Sequence, residues 1–163
     1  MAAAEGSYDD RNEAPLAGYA ALVATFTAGV AVFTATARRQ GVRLPERVPP
    51  WDVALLGVAT FKASRLLSKD KVTSFLRAPF TRRTEEIPAG EVMDEPRGSG
   101  VQRAIGDLVS CPFCASVWVA AALVGGYACV PRAARLVSAG LTAVTVADWL
   151  QYAWSFTEQR AGG

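Results

Sequence analysis

The chain has 163 residues, of which 51% are apolar and 20% charged, with 17 Lys and Arg against 15 Asp and Glu. This length suits one domain, and a positive mean hydropathy at this charge content means that the apolar residues are segregated into long segments. The net charge of +2 is too small to indicate a nucleic-acid partner. The absence of histidine removes the commonest zinc ligand and the commonest general base.

The chain opens with a short acidic stretch that is followed by a long apolar one. Residues 1–14 are small and polar, which predicts a disordered tail. Residues 16–37 contain no charged side chain, and roughly 20 apolar residues suffice to cross a hydrocarbon core of about 30 Å. We therefore expect a first membrane-spanning helix at 16–37, within a membrane domain that covers 15–163.

The second apolar segment, residues 51–68, is short and carries two cations, Lys62 and Arg65. Long cationic side chains near a helix end can extend to the lipid headgroups, which is one interpretation of both residues. The other is an intramembrane ionic cluster with Asp148, because an unpaired charge in the bilayer is costly. If both helices run in the same direction, the three residues lie at matching depths. We predict that Asp148 contacts Lys62 or Arg65.

Residues 69–110 form the main polar part, with a basic first half and an acidic second half. The basic residues predict a cytoplasmic loop, and the acidic half argues against nucleic acid as a partner. Two further apolar segments, 112–130 and 133–156, are separated by Pro131 and complete the expected set of spans.

The expected fold is therefore all-α, a polytopic membrane bundle of four transmembrane helices in the inner (plasma) membrane, with both termini cytoplasmic. In the alternative, three helices span the membrane and residues 51–67 are re-entrant. A re-entrant segment needs protein around its backbone, which a chain of this size scarcely supplies, so the four-span fold is favoured.

A Cys-Pro-Phe-Cys box, Cys111 to Cys114, stands where the polar part turns into the third apolar segment. Proline suits the first turn of a helix, so both thiols are predicted near a helix start, where the helix dipole favours thiolate. Three interpretations stay open: two structural thiols, a thiol-redox pair, or half of a metal site. Without histidine, a zinc ion or iron–sulfur centre needs further thiolates, most simply from a second protomer. We expect reduced thiols, because residues three apart on a helix are slightly too far apart for an unstrained disulfide.

Four short motifs follow one another along the chain. They are Phe61-Lys62-Ala63-Ser64-Arg65-Leu66-Leu67, Asp70-Lys71-Val72-Thr73, Arg77-Ala78-Pro79-Phe80 and Ser110-Cys111-Pro112-Phe113-Cys114 with Trp118. In this order they resemble a small bacterial integral membrane family, domain of unknown function 1360, over about residues 51–156. The resemblance implies a polytopic membrane protein with a cysteine pair at the cytoplasmic edge, and some members are described as sporulation proteins.

The sequence contains no phosphate-binding glycine loop, metalloprotease helix or serine triad, and we predict no catalytic residue. It favours a non-enzymatic scaffold or accessory subunit of an envelope or developmental assembly. The expected partners are the lipid bilayer and other membrane subunits, including a second copy of the chain. Two alternatives stay open. One is a thiol-redox or metal-binding protein that uses Cys111 and Cys114, and the other is a small transporter subunit built on Lys62, Arg65 and Asp148.

Overall fold

The computed structural model describes residues 14–42 and 45–161, and within them the chain forms six α-helices and one β-hairpin. The predicted tail at 1–14 lies outside the described residues except for its last position. A 3₁₀ turn at Pro88–Gly90 joins the two strands. In chain order the elements are α1 (Leu16–Arg39), α2 (Pro50–Lys69), α3 (Ser74–Arg77), β1 (Thr81–Ile87), β2 (Glu91–Pro96), α4 (Gly100–Ser110), α5 (Pro112–Cys129) and α6 (Pro131–Ala161).

The expected all-α bundle of four transmembrane helices is wrong. Among the described residues, two helices, α1 and α5, are long and apolar enough to cross a membrane, judged by length and composition alone. This number also falls short of the three-span alternative. The helices α2 and α6 have sufficient length, but charged residues such as Asp52, Lys62 and Asp148 make them too polar to count as candidate spans.

A β-hairpin forms within the segment that was expected to be a polar loop. The strands β1 and β2 pair antiparallel, with Thr81 opposite Pro96 and a bulge just after Arg83. The turn between them needs a positive φ of 66° at Ala89. Val92 is fully buried under the hairpin, while most of the other strand residues face solvent. Because both strands carry many exposed charged residues, the sequence lacks the alternation of apolar and polar residues that indicates a strand.

The central helix of the described fold is α2, which packs against both α5 and α6. Ala59 and Ser64 are small residues on its buried face, and they allow the neighbouring backbones to approach closely. Near the start of α2, an apolar cluster of Leu56, Tyr127 and Ala134 joins the three helices.

The helix α1 stands beside this core and is tied to it mainly through α4. A Cβ atom on Gly18 would lie 2.7 Å from the Ala104 Cβ and 2.8 Å from the Gly100 carbonyl oxygen, so only glycine permits this contact. Near the middle of α1, the Phe26 ring meets the Trp118 ring edge-on, with 5.1 Å between centroids. Thus α1 and α5 run parallel, and both begin next to α4.

A buried ion pair fastens the hairpin to the end of α2. Arg77 of α3 is fully buried, and its Nε donates to Asp94 Oδ2 of β2 at 2.8 Å. Its Nη1 donates to the Leu67 carbonyl oxygen at 2.6 Å and to Thr73 Oγ1 at 3.0 Å. Its Nη2 donates to the Asp70 carbonyl oxygen at 3.1 Å. One side chain therefore holds the last turn of α2, the following turn and β2 together.

Replacement of Arg77 by alanine should release the hairpin, because Asp94 would stay buried without its partner. Removing one member of a buried ion pair costs about 3–5 kcal/mol of unfolding free energy. The matched control is Arg82→Ala, whose pair with Glu95 is exposed, at 3.7 Å, and should contribute about 0–1 kcal/mol. Thermal unfolding and limited proteolysis of the hairpin measure the difference, and an equal loss in both variants would contradict this role of Arg77.

Candidate functional site

The two cations of α2 form separate ion pairs. Lys62 Nζ lies 2.5 Å from Asp148 Oδ2 on α6, and the Lys62 side chain is only 12% exposed. Arg65 instead makes a two-pronged pair with Glu91 at the start of β2, with both N–O distances at 2.7 Å. Of the three residues expected to cluster, the structure brings Lys62 and Asp148 together. It gives Arg65 a hairpin partner that the sequence did not indicate.

Both ion pairs line a polar cleft between α2, the hairpin turn and the C-terminal half of α6. The cleft has a volume of about 620 Å³, and solvent reaches it, since the side chains of Asp148 and Arg65 are 37% and 41% exposed. It presents charges of both signs beside neutral hydrogen-bonding groups. The lining consists of Lys62, Arg65, Leu66, Asp70, Pro88, Ala89, Glu91, Asp148, Gln151, Tyr152, Ser155 and Gln159.

A further ionic group, which sequence reasoning missed, joins the opposite end of α2 to α5 and α6. Asp52 is buried and accepts hydrogen bonds from the Tyr127 hydroxyl at 2.5 Å and from Arg135 Nη2 at 2.6 Å. The Arg135 guanidinium and the Tyr127 hydroxyl hold the pKa of the Asp52 carboxyl below its ordinary value, so it stays ionised. The sequence did carry a signal, because Asp52 precedes Lys62 on α2 and Arg135 precedes Asp148 on α6 by similar distances, about three and about three and a half helical turns.

Cys111 and Cys114 lie together at the start of α5. Pro112 occupies the first turn of the helix, in agreement with the predicted helix start. Cys111 is the N-cap, with extended backbone angles, and its Sγ accepts the backbone N–H of Cys114 at 3.4 Å. Both thiols are free, as is that of Cys129 at the far end of the same helix.

The environment of Cys111 favours its ionised form. Partial burial raises the pKa of the Cys111 thiol, but hydrogen bonds from the Cys114 thiol and from the backbone N–H groups of Cys114 and Phe113 outweigh it. The positive charge of Lys69 at the end of α2 acts in the same direction as these hydrogen bonds. The pKa of Cys111 therefore falls below that of an ordinary cysteine. A larger fraction of this thiol is thiolate at neutral pH, and the thiolate is the nucleophilic form.

A metal centre on this pair would have two protein ligands from one protomer. In residues 14–42 and 45–161, no group of three or more Cys, Asp and Glu side chains comes together in a metal-binding arrangement. The nearby carboxylate of Asp107 accepts a hydrogen bond from the Tyr19 hydroxyl at 2.9 Å. A zinc ion or iron–sulfur centre would thus require ligands from a second copy of the chain, and this stays a prediction.

The chain has relatives in Bacillus subtilis (strain 168) and matches one protein family. The family described as "Protein of unknown function (DUF1360)" matches residues 55–154, which include both cysteines of the box and the Lys62–Asp148 pair but not α1. The sporulation protein YjcA is 36% identical over 110 residues, which cover 61% of this chain and 93% of YjcA. The UPF0713 protein YngL is 31% identical over 80 residues, which cover 49% of this chain and 60% of YngL. No solved structure shows a significant match.

Removal of Asp148 alone should cost more stability than joint removal of Asp148 and Lys62. The Asp148→Leu variant leaves a largely buried ammonium without its partner, and we expect a loss of about 1.5–3 kcal/mol of unfolding free energy. The double variant Asp148→Leu, Lys62→Leu leaves neither charge of the pair without its partner, so it should recover part of the lost unfolding free energy.

The control for this prediction is the further change Arg65→Leu. Because Arg65 pairs with Glu91 and not with Asp148, adding this change to the double variant should destabilise the protein again. Thermal unfolding of all the variants in one detergent measures the differences. A double variant less stable than Asp148→Leu would contradict the pairing.

Proposed function

The chain belongs to the family of proteins of unknown function DUF1360, which confirms the resemblance, and we propose that it is a membrane-embedded scaffold or accessory subunit of an envelope or developmental assembly. One observation carries this proposal, the exposure of the two most apolar helices. Only 6% of the apolar window of α1 and 11% of that of α5 is buried inside the protein.

This exposure distinguishes α1 and α5 from the core helix of a water-soluble protein, which is mostly buried. Several of their apolar side chains are more than half exposed, among them Val23, Val32 and Val117. In water, each Å² of apolar surface left uncovered forgoes about 25 cal/mol. A bilayer covers such a surface without any protein partner, and the 24 residues of α1 are enough to cross its hydrocarbon core.

The parallel arrangement of α1 and α5 supports a common side for the polar elements. Both helices begin next to α4, so the hairpin, α4 and the start of α1 lie at one face of the membrane in this proposal. The helix α2, too polar to cross as an independent apolar span, returns the chain to this face while packed against α5 and α6, with Asp52 and Lys62 paired inside the protein. This polar segment, residues 69–110, holds the largest group of lysines and arginines in the chain, and by the positive-inside rule we place it in the cytoplasm.

The polar face supports a role in assembly. The hairpin exposes charges of both signs, in pairs such as Arg82 with Glu95 and Lys71 with Glu86, and it is held rigidly through Arg77. A rigid, charged surface of this kind suits docking of other proteins from the cytoplasm. The relative YjcA is described as a sporulation protein, and from it we extend to this chain only the general class of a developmental assembly.

Two measurements test membrane embedding and orientation. The full chain should stay in the membrane pellet after alkaline carbonate extraction. In a background with all three cysteines changed to serine, Ala89→Cys in the hairpin turn should react with a membrane-impermeant maleimide only after the cells are permeabilised. The matched control, Gln40→Cys after the end of α1, should react in intact cells.

Each outcome decides one part of the proposal. Release of the chain by carbonate would refute embedding. Labelling of Ala89→Cys in intact cells, with Gln40→Cys protected, would reverse the orientation while leaving embedding in place.

A further inference from the structure

Cys114 lies at the mouth of an apolar groove between α1, α4 and the start of α5. The groove has a volume of about 350 Å³, and among its described lining residues the polar groups are Cys114, Tyr19 and Asp107. A second apolar groove of about 470 Å³ continues along α1 and α5, and Phe26 and Trp118 line both. Cys114 therefore lines the first of two neighbouring apolar grooves, which share Phe26 and Trp118.

We propose that Cys111 and Cys114 form a dithiol that reduces a lipid-soluble quinone bound in these two grooves. This activity goes beyond the scaffold role, and it rests on that proposal only in placing α1 and α5 in the bilayer.

The shape and lining of the grooves favour a flat ring with an apolar tail. Phe26 and Trp118, already packed edge-to-face, offer aromatic surface to a planar ring at the junction of the two grooves. The Tyr19 hydroxyl donates to the Asp107 carboxylate at 2.9 Å, and this carboxylate, which also lines the first groove, can accept a hydrogen bond from an O–H group of the hydroquinone. The second groove, without charged residues in its described lining, suits an isoprenoid or alkyl tail.

The position of Cys111 outside the helix suits the pair for disulfide formation. The predicted separation, slightly too wide for an unstrained disulfide, is that of two residues three apart on a helix. Cys111 instead caps the helix in an extended conformation and turns its sulfur over the backbone N–H of Cys114. The Cys111 sulfur therefore already lies over the first turn of α5, beside the residue whose thiol it would bridge.

The reaction balances within these components. Both S–H bonds break, one S–S bond forms between Cys111 and Cys114, and the dithiol loses two electrons and two protons. The quinone takes up the same two electrons and two protons, one proton on each ring oxygen, and leaves as the hydroquinone. The dithiol is oxidised and the quinone reduced, and no other reactant is needed for one turnover.

The test uses the full chain, reduced and placed in liposomes of phosphatidylcholine and phosphatidylglycerol under nitrogen. The probe is decylubiquinone, whose fully substituted ring does not add thiols. We expect hydroquinone and intramolecular disulfide to form in equal amounts. Cys111→Ser and Cys114→Ser should reduce both products to the level of protein-free liposomes, whereas the matched control Cys129→Ser should behave as the unchanged chain.

A water-soluble oxidant, diamide, separates the two halves of the proposal. Diamide should form the Cys111–Cys114 disulfide in detergent and in liposomes. If it does not, the proposal that these two cysteines act as a dithiol pair is wrong. A disulfide that forms with diamide but not with decylubiquinone would overturn the proposal that a quinone oxidises the pair. Carbonate extraction of the same liposomes reports separately on membrane embedding, so the failure of the scaffold proposal is distinguishable from both results.

The groove itself is tested with Gly29→Leu. Gly29 lines the second groove, and an added Cβ there meets no atom within 4 Å, so we expect the leucine side chain to occupy part of the groove. This variant should slow the reaction of decylubiquinone several-fold and leave that of the tail-less duroquinone unchanged. Equal effects on both quinones, or on neither, would overturn the placement of the tail.

Discussion

The buried guanidinium of Arg77 is the interaction on which the polar half of the protein depends. A buried cation is tolerated only when its charge and its N–H groups are matched, and Arg77 meets one carboxylate and three further oxygens. Through these bonds the hairpin is held against the end of α2, which in turn puts Glu91 within reach of Arg65. The backbone N–H of Lys71 also donates to the Gly90 carbonyl oxygen at 2.9 Å. The polar cleft exists because the hairpin is fixed in this position.

The charges of α2 set its alignment with the other elements. Asp52 is paired with Arg135, Lys62 with Asp148 and Arg65 with Glu91, so that the helix is held at its start, middle and end. Because a one-turn slip of α2 would separate all three pairs, these contacts specify one register in a core that contains many small residues. The same charges make α2 too polar to be a candidate span, although it packs along the apolar α5.

The sequence predicts some of these features and hides others for physical reasons. Uninterrupted apolar composition marks α1, and proline marks the starts of α2, α5 and α6, because both signals are local. The partner of Lys62 follows from the cost of a lone charge and matching depth. The Arg77–Asp94 pair joins the one-turn helix α3 to a strand within the polar segment 69–110, and no periodic pattern in the sequence points to this pair. The sequence pattern offers Arg65 only Asp148 as a partner, because it does not predict the hairpin that supplies Glu91.

In the proposed embedding, lipid covers the exposed apolar surfaces of α1 and α5. Trp118 lies two turns inside α5 and lines both grooves, so it reports on this surface directly. In a variant that retains Trp118 and has phenylalanine in place of Trp51, Trp149 and Trp154, fluorescence quenching by lipids brominated deep in their acyl chains measures the contact. Strong quenching by these lipids with little quenching by aqueous acrylamide is the result that the proposed embedding predicts. Efficient acrylamide quenching with no effect of the brominated lipids would contradict it.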